Sequence, residues 1–216
     1  MSAYPSTQLY INGRWRQGSN DDLPVVNPAS GEVIGRVSNA GAPDLDEALS
    51  AAAAGFEQWR RISAFDRAKL MRESAEILRQ RSAAISRIMT LEQGKPLAES
   101  KAESAAAADI IDWFAEEARR AYGRLIPPRA TNVRQMVIKE PVGPVAAFSP
   151  WNFPLNQAVR RSRPPLQPGC SIILMGPRRR PRAAPNWFAP LPMRVLPAGR
   201  SSTSFSEFPP IIFQSS

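Results

Sequence analysis

The sequence predicts an α/β fold built around one parallel βαβ unit. Val145 to Phe148 form a short apolar run without polar alternation, which is typical of a strand buried on both faces of a parallel sheet, although a buried helix end has the same pattern. Ser149-Pro150 ends this run, and Pro154 suits the first turn of a helix. Gly169 to Leu174 then supplies the next parallel strand. In such sheets ligands bind beyond the carboxyl ends of the strands.

Turn signals predict two hairpins before this unit. Asn12-Gly13 lies between β-forming residues, which is the strongest short signal for a hairpin. The segments Leu23 to Asn27 and Glu32 to Val37 flank a second turn, Pro28 to Gly31. Both hairpins are expected to be scaffold.

Capping signals predict three helices. Asp44 is expected to cap a helix that ends near Arg60, with acidic residues in its first turn. Ser63 begins the next helix, which Gly94 ends in a left-handed conformation. A long alanine-rich helix follows from Ala98 to Tyr122.

Gln135 to Glu140 is predicted to be a strand. A strand at the edge of a sheet offers unpaired backbone groups to a second chain, so this segment is a candidate for self-association.

Asn152 follows the first predicted parallel strand and has two interpretations. Its amide N–H could stabilise a developing oxyanion in a closed pocket. It could instead cap the following helix, which asparagine does well. Spacing alone favours the cap.

The net charge of +9 is unevenly distributed. Residues 1–160 carry a net charge of +2, whereas residues 161–216 carry +7 and half of the 22 prolines. Such a shift marks a boundary. No apolar run approaches the ~18 residues of a membrane span, and no signal peptide is visible. The single cysteine fits a reducing cytoplasm, and we expect no membrane partner and no metal site.

Several motifs resemble the aldehyde dehydrogenase family. They are YINGRW, VVNPASGEVIGRV, EQGKPLAES and PVGPVAAFSPWNFP followed by GCSIIL, within residues 8–177. The five-residue core PWNFP, in a strand–turn–helix setting, is the most specific. The resemblance implies the front part of a Rossmann-type dinucleotide-binding domain and the oxidation of an aldehyde with NAD or NADP. Within the family, the sequence resembles the succinate-semialdehyde and 2-oxoglutarate-semialdehyde dehydrogenase types.

The resemblance also implies roles for individual residues. Asn152 would be the oxyanion-hole amide, which raises its catalytic interpretation above the cap. Phe148, Ser149, Pro150 and Trp151 would line the path of the nicotinamide cofactor. Residues 135–140 would join a small oligomerisation sheet, so a homo-oligomer is expected. The EQGKP segment, with Glu92 and Lys95, would be structural.

The family's nucleophilic cysteine, catalytic glutamate and glycine-rich turn lie beyond residue 216 in chain order. Cys170 is not expected to replace the nucleophile, because it sits beside a buried apolar run and the chain contains no histidine to activate it.

The chain departs from the family in two places. Residues 161–168 read RSRPPLQP where the family has a helix resembling KIAPALAA, and Pro164 and Pro165 should damage that helix. Met175 holds the cofactor-binding position where the family has a lysine for the adenosine ribose, and Arg178 follows where it has an acidic pair. Met175 cannot donate that hydrogen bond and Arg178 has the wrong charge, so cofactor binding should be impaired.

A shifted reading frame would explain both departures. A family-like peptide PEETPASCAELVRAFADAGV, in one possible coding, reads PRRRPRAAPNWFAPLPMRV and then leucine when translated one base later. That is the sequence from Pro177 to Leu196. Shifted readings of family-like peptides also give RSRPPLQP and SSTSFSEFPP, so the hypothesis covers both departing segments.

We therefore expect a partial dinucleotide-binding domain over residues 1–177 and an aberrant, disordered Arg/Pro-rich tail over 178–216. The chain alone should be inactive toward its small-molecule aldehyde. Two alternatives remain: an interaction fragment that pairs with a dehydrogenase through Gln135 to Glu140, and a tail that binds nucleic acid non-specifically by charge.

Overall fold

The computed structural model describes residues 7–176 and the backbone of a short strand at 212–214. In the described part, four strands are followed by three helices, three more strands, a fourth helix and two final strands, and β7–α4–β8 is the βαβ unit. The elements are β1 Leu9–Ile11, β2 Arg14–Arg16, β3 Asn20–Val26, β4 Val33–Asn39, α1 Ala42–Trp59, α2 Ala64–Gln93, α3 Leu97–Ala118, β5 Arg124–Ile126, β6 Gln135–Val137, β7 Val145–Phe148, α4 Pro154–Leu166, β8 Ile172–Met175 and β9 Ile212–Gln214.

Both predicted hairpins are present. Strands β1 and β2 pair antiparallel, as do β3 and β4. The first turn places Asn12 at φ 51° and Gly13 at φ 75°. A two-residue turn with positive φ at both positions matches the right-handed twist of the flanking strands, which is why Asn-Gly was a reliable signal.

The capping predictions hold for α2 and fail for α1. The Ser63 hydroxyl accepts a hydrogen bond from the Asp66 N–H at the start of α2, and Gly94 ends that helix at φ 81°. The N-cap of α1 is Gly41 rather than Asp44. Asp44 lies one turn inside and accepts the Gly41 N–H at 2.9 Å, so its carboxylate still serves the helix end.

Helix α3 is shorter than the sequence predicts. It ends at Ala118 instead of reaching Tyr122, and the chain then turns into β5. The alanine-rich composition set its helical character, but no glycine or proline marked its end in the sequence.

The parallel pairing of β7 with β8 confirms the βαβ unit, with Val145 opposite Ile172. The prediction that β7 is buried on both faces is wrong. Ala147 is buried, whereas Ala146 and Phe148 on the opposite face are exposed. Strand β7 pairs with β8 alone in the described part, and no described helix covers its second face.

Three residues of the predicted disordered tail form a strand. β9, Ile212–Gln214, pairs parallel with β8 on the side opposite β7. Its Ile-Phe pair has high β propensity, unlike the Arg/Pro-rich sequence before it, which explains why the compositional prediction is wrong there. The rest of the expectation for residues 178–216 lies outside the described residues.

The prediction that prolines damage α4 is also wrong. The helix runs unbroken from Pro154 to Leu166 with Pro164 and Pro165 inside it. Both prolines fall in its last turn, so each removes one N–H donor to the preceding turn, but only Leu166 follows them in the helix and the loss does not extend further. The Trp59 indole donates a hydrogen bond to the Leu166 carbonyl at 2.8 Å, so a contact from α1 holds this turn in place.

The main core lies between the long α2–α3 hairpin and the βαβ unit. It brings together fully buried side chains from α1, α2, α3, α4 and β8, namely Trp59, Leu78, Met89, Ile111, Leu155, Val159 and Leu174. α4 is thereby clamped between α3 and the sheet, which fixes the loop that leads into it. None of the helices in the described part is long and apolar enough to cross a membrane.

Candidate active site

The carboxyl ends of β7 and β8 lie side by side and form the base of the site. Phe148 pairs with Met175 in the parallel register, and the Ser149 N–H donates to the Met175 carbonyl at 2.9 Å. The structure therefore brings together three of the residues predicted to bind the cofactor. This is the edge where ligands bind in open α/β sheets.

These three residues offer different surfaces. Phe148 is 64% exposed and presents an apolar ring beyond the strand. Ser149 is buried, and its hydroxyl has no hydrogen-bond partner among the described residues. The Met175 side chain packs against an apolar cluster that includes Leu9 and Ile11. A role for the three in cofactor binding stays a prediction.

The loop from Pro150 to Phe153 crosses from β7 to α4 and is exposed throughout. The N-cap of α4 is Phe153, with no side-chain capping bond, so the interpretation of Asn152 as a helix cap is wrong. The side-chain amide of Asn152 makes no hydrogen bond to residues 7–176. It is consequently available to a ligand, and its role as an oxyanion donor stays a prediction.

A carboxylate from another helix caps α4 instead. Glu103 on α3 accepts the N–H groups of Leu155 at 2.9 Å and of Asn156 at 3.2 Å. Its other carboxylate oxygen pairs with the ammonium group of Lys95. A negative charge at a helix N-terminus is favourable because the first N–H groups of a helix have no partner within it.

The loop itself is held from the end of α2. The Gln93 side-chain Nε2 donates to the carbonyls of Trp151 at 2.6 Å and of Asn152 at 2.8 Å. Lys95 Nζ lies 3.4 Å from the Asn152 carbonyl and 4.5 Å from the centre of the Phe153 ring. The EQGKP segment therefore contacts the backbone on both sides of the candidate oxyanion donor.

Sequence reasoning missed Gln93 and Glu103. It assigned Lys95 a structural role without a partner and gave Glu103 no role at all. The contacts join residues more than fifty positions apart, so no local spacing rule could reveal them. The one available signal was an acidic residue on the buried face of an alanine-rich helix, which requires a partner.

Two further ionisable side chains, those of Glu92 and Cys170, are buried. Both carboxylate oxygens of Glu92 are buried without a partner in the described part, and burial raises the pKa of this carboxyl well above its usual value. Cys170 is 2% exposed at the start of β8. A thiol so enclosed is inaccessible to an aldehyde without rearrangement. Within residues 7–176, no three His, Cys, Asp or Glu side chains converge as metal ligands.

Comparison with known proteins places these features in a family. Residues 15–199 match the aldehyde dehydrogenase family. The chain is 46% identical over 179 residues to 4-(hydroxymethyl)benzenesulfonate dehydrogenase of Comamonas testosteroni, and 40% identical over 178 residues to succinate-semialdehyde dehydrogenase [NADP(+)] of Escherichia coli. Each alignment covers 82% of this chain. These matches confirm the resemblance predicted from the PWNFP and EQGKP motifs.

A solved structure gives the same result. The fold superimposes on the crystal structure of an NADP-dependent enzyme from E. coli with a TM-score of 0.86 and 36% identity, over 98% of this chain and 42% of that one. The chain spans 38% and 37% of the lengths of the two curated relatives. The likeness therefore concerns one part of a larger enzyme.

Proposed function

Because this chain belongs to the aldehyde dehydrogenase family, we propose that it forms part of an NAD(P)-dependent enzyme that oxidises a semialdehyde to the carboxylic acid. One observation carries the proposal. The exposed Asn152 lies in the loop that follows β7, whose carboxyl end lies beside that of β8, where a substrate bound at the sheet edge would meet it. Residues 1–177 are, on this proposal, a partial dinucleotide-binding domain.

Asn152 supplies a hydrogen-bond donor to the reacting oxygen. In the family a cysteine thiolate adds to the aldehyde carbonyl, and negative charge develops on the oxygen as the carbon becomes tetrahedral. An amide N–H fixed at the position of that oxygen stabilises the charge more than it stabilises the neutral aldehyde. Removing one such donor typically lowers kcat by about 10²–10³-fold.

The residues present fit one end of the nicotinamide cofactor and not the other. The Phe148 ring is exposed at the strand end, and the buried Ser149 hydroxyl beside it has no partner in the described part. Both suit the nicotinamide half, which supplies the hydride acceptor when it is bound. Met175, at the position for the ribose contact, has a thioether that packs on the core and donates no hydrogen bond. We therefore expect weak cofactor binding.

The 216-residue chain alone should not turn over substrate. Its only cysteine is Cys170, which is buried at the start of β8. Without a thiolate nucleophile the covalent route is closed. The purified chain should give no reduced cofactor with succinate semialdehyde and either NAD or NADP. Turnover above an enzyme-free blank would overturn this part of the proposal.

A shifted reading frame is the proposed origin of the departures at 161–168 and beyond Pro177. Arg163 lies within the first of these segments and is fully buried, with its pKa lowered to about 10 by burial. A buried arginine is costly at a position where the family helix carries small apolar residues. Because the family match at 15–199 extends past Pro177, the position at which the second segment begins is to be located by sequencing the coding DNA.

The positive test uses the coding DNA with its frame restored. If a one-base correction yields a full-length frame, the corrected enzyme should oxidise succinate semialdehyde or glutarate semialdehyde, the aldehydes named by two relatives. Replacing Asn152 with alanine should then lower kcat about 100-fold or more. An unchanged kcat would remove Asn152 from the mechanism. A cytoplasmic location belongs to the same proposal.

A second candidate function is association with another dehydrogenase chain through the β5–β6 hairpin. Every residue of β5 and β6 is exposed, including Leu125 at 81% and Met136 at 70%. An apolar two-stranded hairpin with free edges is unstable alone in water and favours pairing with a further strand. Co-purification with an intact subunit, lost on replacing Val137 with proline, tests this candidate.

A further inference from the structure

We propose that Gln93, Lys95 and Glu103 are positioning residues that hold the peptide on both sides of Asn152 and thereby aim its side-chain amide. The inference rests on the proposed function of Asn152. It adds residues outside the PWNFP loop to the machinery of the site. None of the three need touch a substrate.

Gln93 acts on the loop before α4. Its Nε2 uses its two hydrogens on two consecutive carbonyls, those of Trp151 and Asn152, at 2.6 and 2.8 Å. These two carbonyls belong to the peptide groups immediately before and immediately after Asn152. Fixing both planes narrows the φ and ψ angles available to Asn152, from whose Cα the amide projects.

Lys95 and Glu103 act on the far side of the loop. Glu103 fixes the first turn of α4 through the N–H groups of Leu155 and Asn156. The Lys95 ammonium pairs with Glu103, reaches the Asn152 carbonyl at 3.4 Å and lies over the Phe153 ring. A single cation thus joins the helix cap to the loop.

The loop needs these external contacts because it has little support of its own. Residues 150–153 are exposed, and α4 begins without a capping side chain from the loop. A donor in an oxyanion hole must be held within roughly 0.5 Å of its productive position. The support comes instead from the α2–α3 junction, whose long helices pack firmly in the core.

Gln93→Glu is the most discriminating variant. It keeps the shape of the side chain but places a carboxylate against two carbonyl oxygens, so attraction becomes repulsion. The side chain is only partly buried, so the fold should survive. Arg79→Gln is the matched control, because Arg79 also joins α2 to α3, through Asp109 and Asp112, on an exposed surface away from the loop.

The test is NMR on the full 216-residue chain labelled with ¹⁵N. The side-chain amide signal of Asn152 is assigned by its loss in Asn152→Ala, and hydrogen exchange is followed at Leu155 and Asn156. Gln93→Glu should broaden or shift the Asn152 amide signal and raise exchange at the start of α4 roughly tenfold. Lys95→Met should change the same Asn152 signal and the same exchange rates, whereas Lys95→Arg, which keeps the positive charge, should bring most of them back to the parent values. Arg79→Gln should leave all these signals in place.

The outcomes separate this inference from the proposed function. An unchanged Asn152 signal and unchanged exchange in Gln93→Glu would overturn the positioning role, whatever the enzyme's activity. A global collapse of the spectrum in Gln93→Glu, with Arg79→Gln intact, would overturn it too, since the residue would then serve the whole fold. The NMR signals require no turnover, so failure of the dehydrogenase assay would leave this result standing.

Discussion

The buried carboxylate of Glu103 caps α4 by accepting the Leu155 N–H at 2.9 Å, although the two residues lie 52 positions apart. The same carboxylate holds the Lys95 ammonium. A helix end that leads out of a candidate oxyanion loop is therefore fixed by an ion pair between α3 and the segment that joins α2 to α3. This relationship links the stability of the chain to the geometry of its site.

Replacing Glu103 with alanine should lower the free energy of unfolding by about 3 kcal/mol, since breaking a buried pair strands its partner charge. The N–H groups of Leu155 and Asn156 would also lose their acceptor. Urea unfolding followed by circular dichroism measures the change. Glu116→Ala is the control: its pair with Arg72 is exposed and should contribute under about 1 kcal/mol. Equal losses in the two variants would contradict the prediction.

Glu92 should make the chain less stable as the pH rises. Burial raises its pKa above the usual 4.5, so the folded chain keeps a proton that the unfolded chain releases. Its contribution to stability is therefore full below about pH 4.5 and declines as the pH rises toward the folded-state pKa. Glu92→Gln removes the titrating group and should be clearly more stable than the parent at pH 8, with little difference at pH 4.

Thermal unfolding of the parent chain and Glu92→Gln at both pH values measures this difference. The exposed Glu99 on α3 offers a control for the loss of one surface carboxylate, through Glu99→Gln. If the difference in melting temperature between the parent chain and Glu92→Gln does not increase with pH, the carboxylate finds a partner on folding.

Arg163 should destabilise the chain at every pH below about 10. Burial lowers the pKa of this guanidinium well below its usual value, to about 10. Because each pKa unit corresponds to about 1.4 kcal/mol, the penalty is on the order of 3 kcal/mol. This penalty is present in full below about pH 10 and lessens only as the pH rises above that value.

Arg163→Met should accordingly raise the urea midpoint at pH 7. Arg161→Met is the matched control, because Arg161 is exposed two residues earlier on the same helix and should change little. A loss of stability in Arg163→Met would contradict the prediction, because the contacts of the guanidinium would then outweigh the cost of its burial. That result would also weaken the case for a shifted frame at residues 161–168.

The β5–β6 hairpin should drive self-association. Val137→Pro removes a backbone donor and should shift the chain toward monomer in size-exclusion chromatography with light scattering. Val142→Ser, which removes an exposed apolar side chain outside the hairpin, should leave the distribution unchanged. If the parent chain is already monomeric at every concentration, the association proposal fails.

Local sequence signals predicted much of the scaffold. The Asn12-Gly13 turn, the Ser63 cap and the Gly94 terminus depend on backbone conformations set within a few residues, so spacing rules found them. The parallel strands followed from apolar runs. The exposure of one face of β7 did not, because what packs against a strand is a property of the whole fold.

The residues of the candidate site show the same difference between features set by local sequence and features set by the whole fold. Asn152 and its neighbours were found because the PWNFP motif is contiguous. Glu103 and Gln93 were not, since their partners come from a distant segment brought close only by folding. Pro164 and Pro165 are the opposite case. The local cost of proline in a helix was recognised from the sequence, but tertiary contacts such as the hydrogen bond from Trp59 outweigh it.

We propose that this chain is the front part of an aldehyde dehydrogenase whose reading frame is shifted after the Asn152 loop. Sequencing the coding DNA from codon 155 to well past codon 216 tests it most directly. We expect a one-base correction near codon 177 to open a long frame that encodes a glycine-rich turn, a glutamate and a cysteine. A frame that stands as given, with no such sequence downstream, would contradict the claim and make the Arg/Pro-rich tail a genuine product.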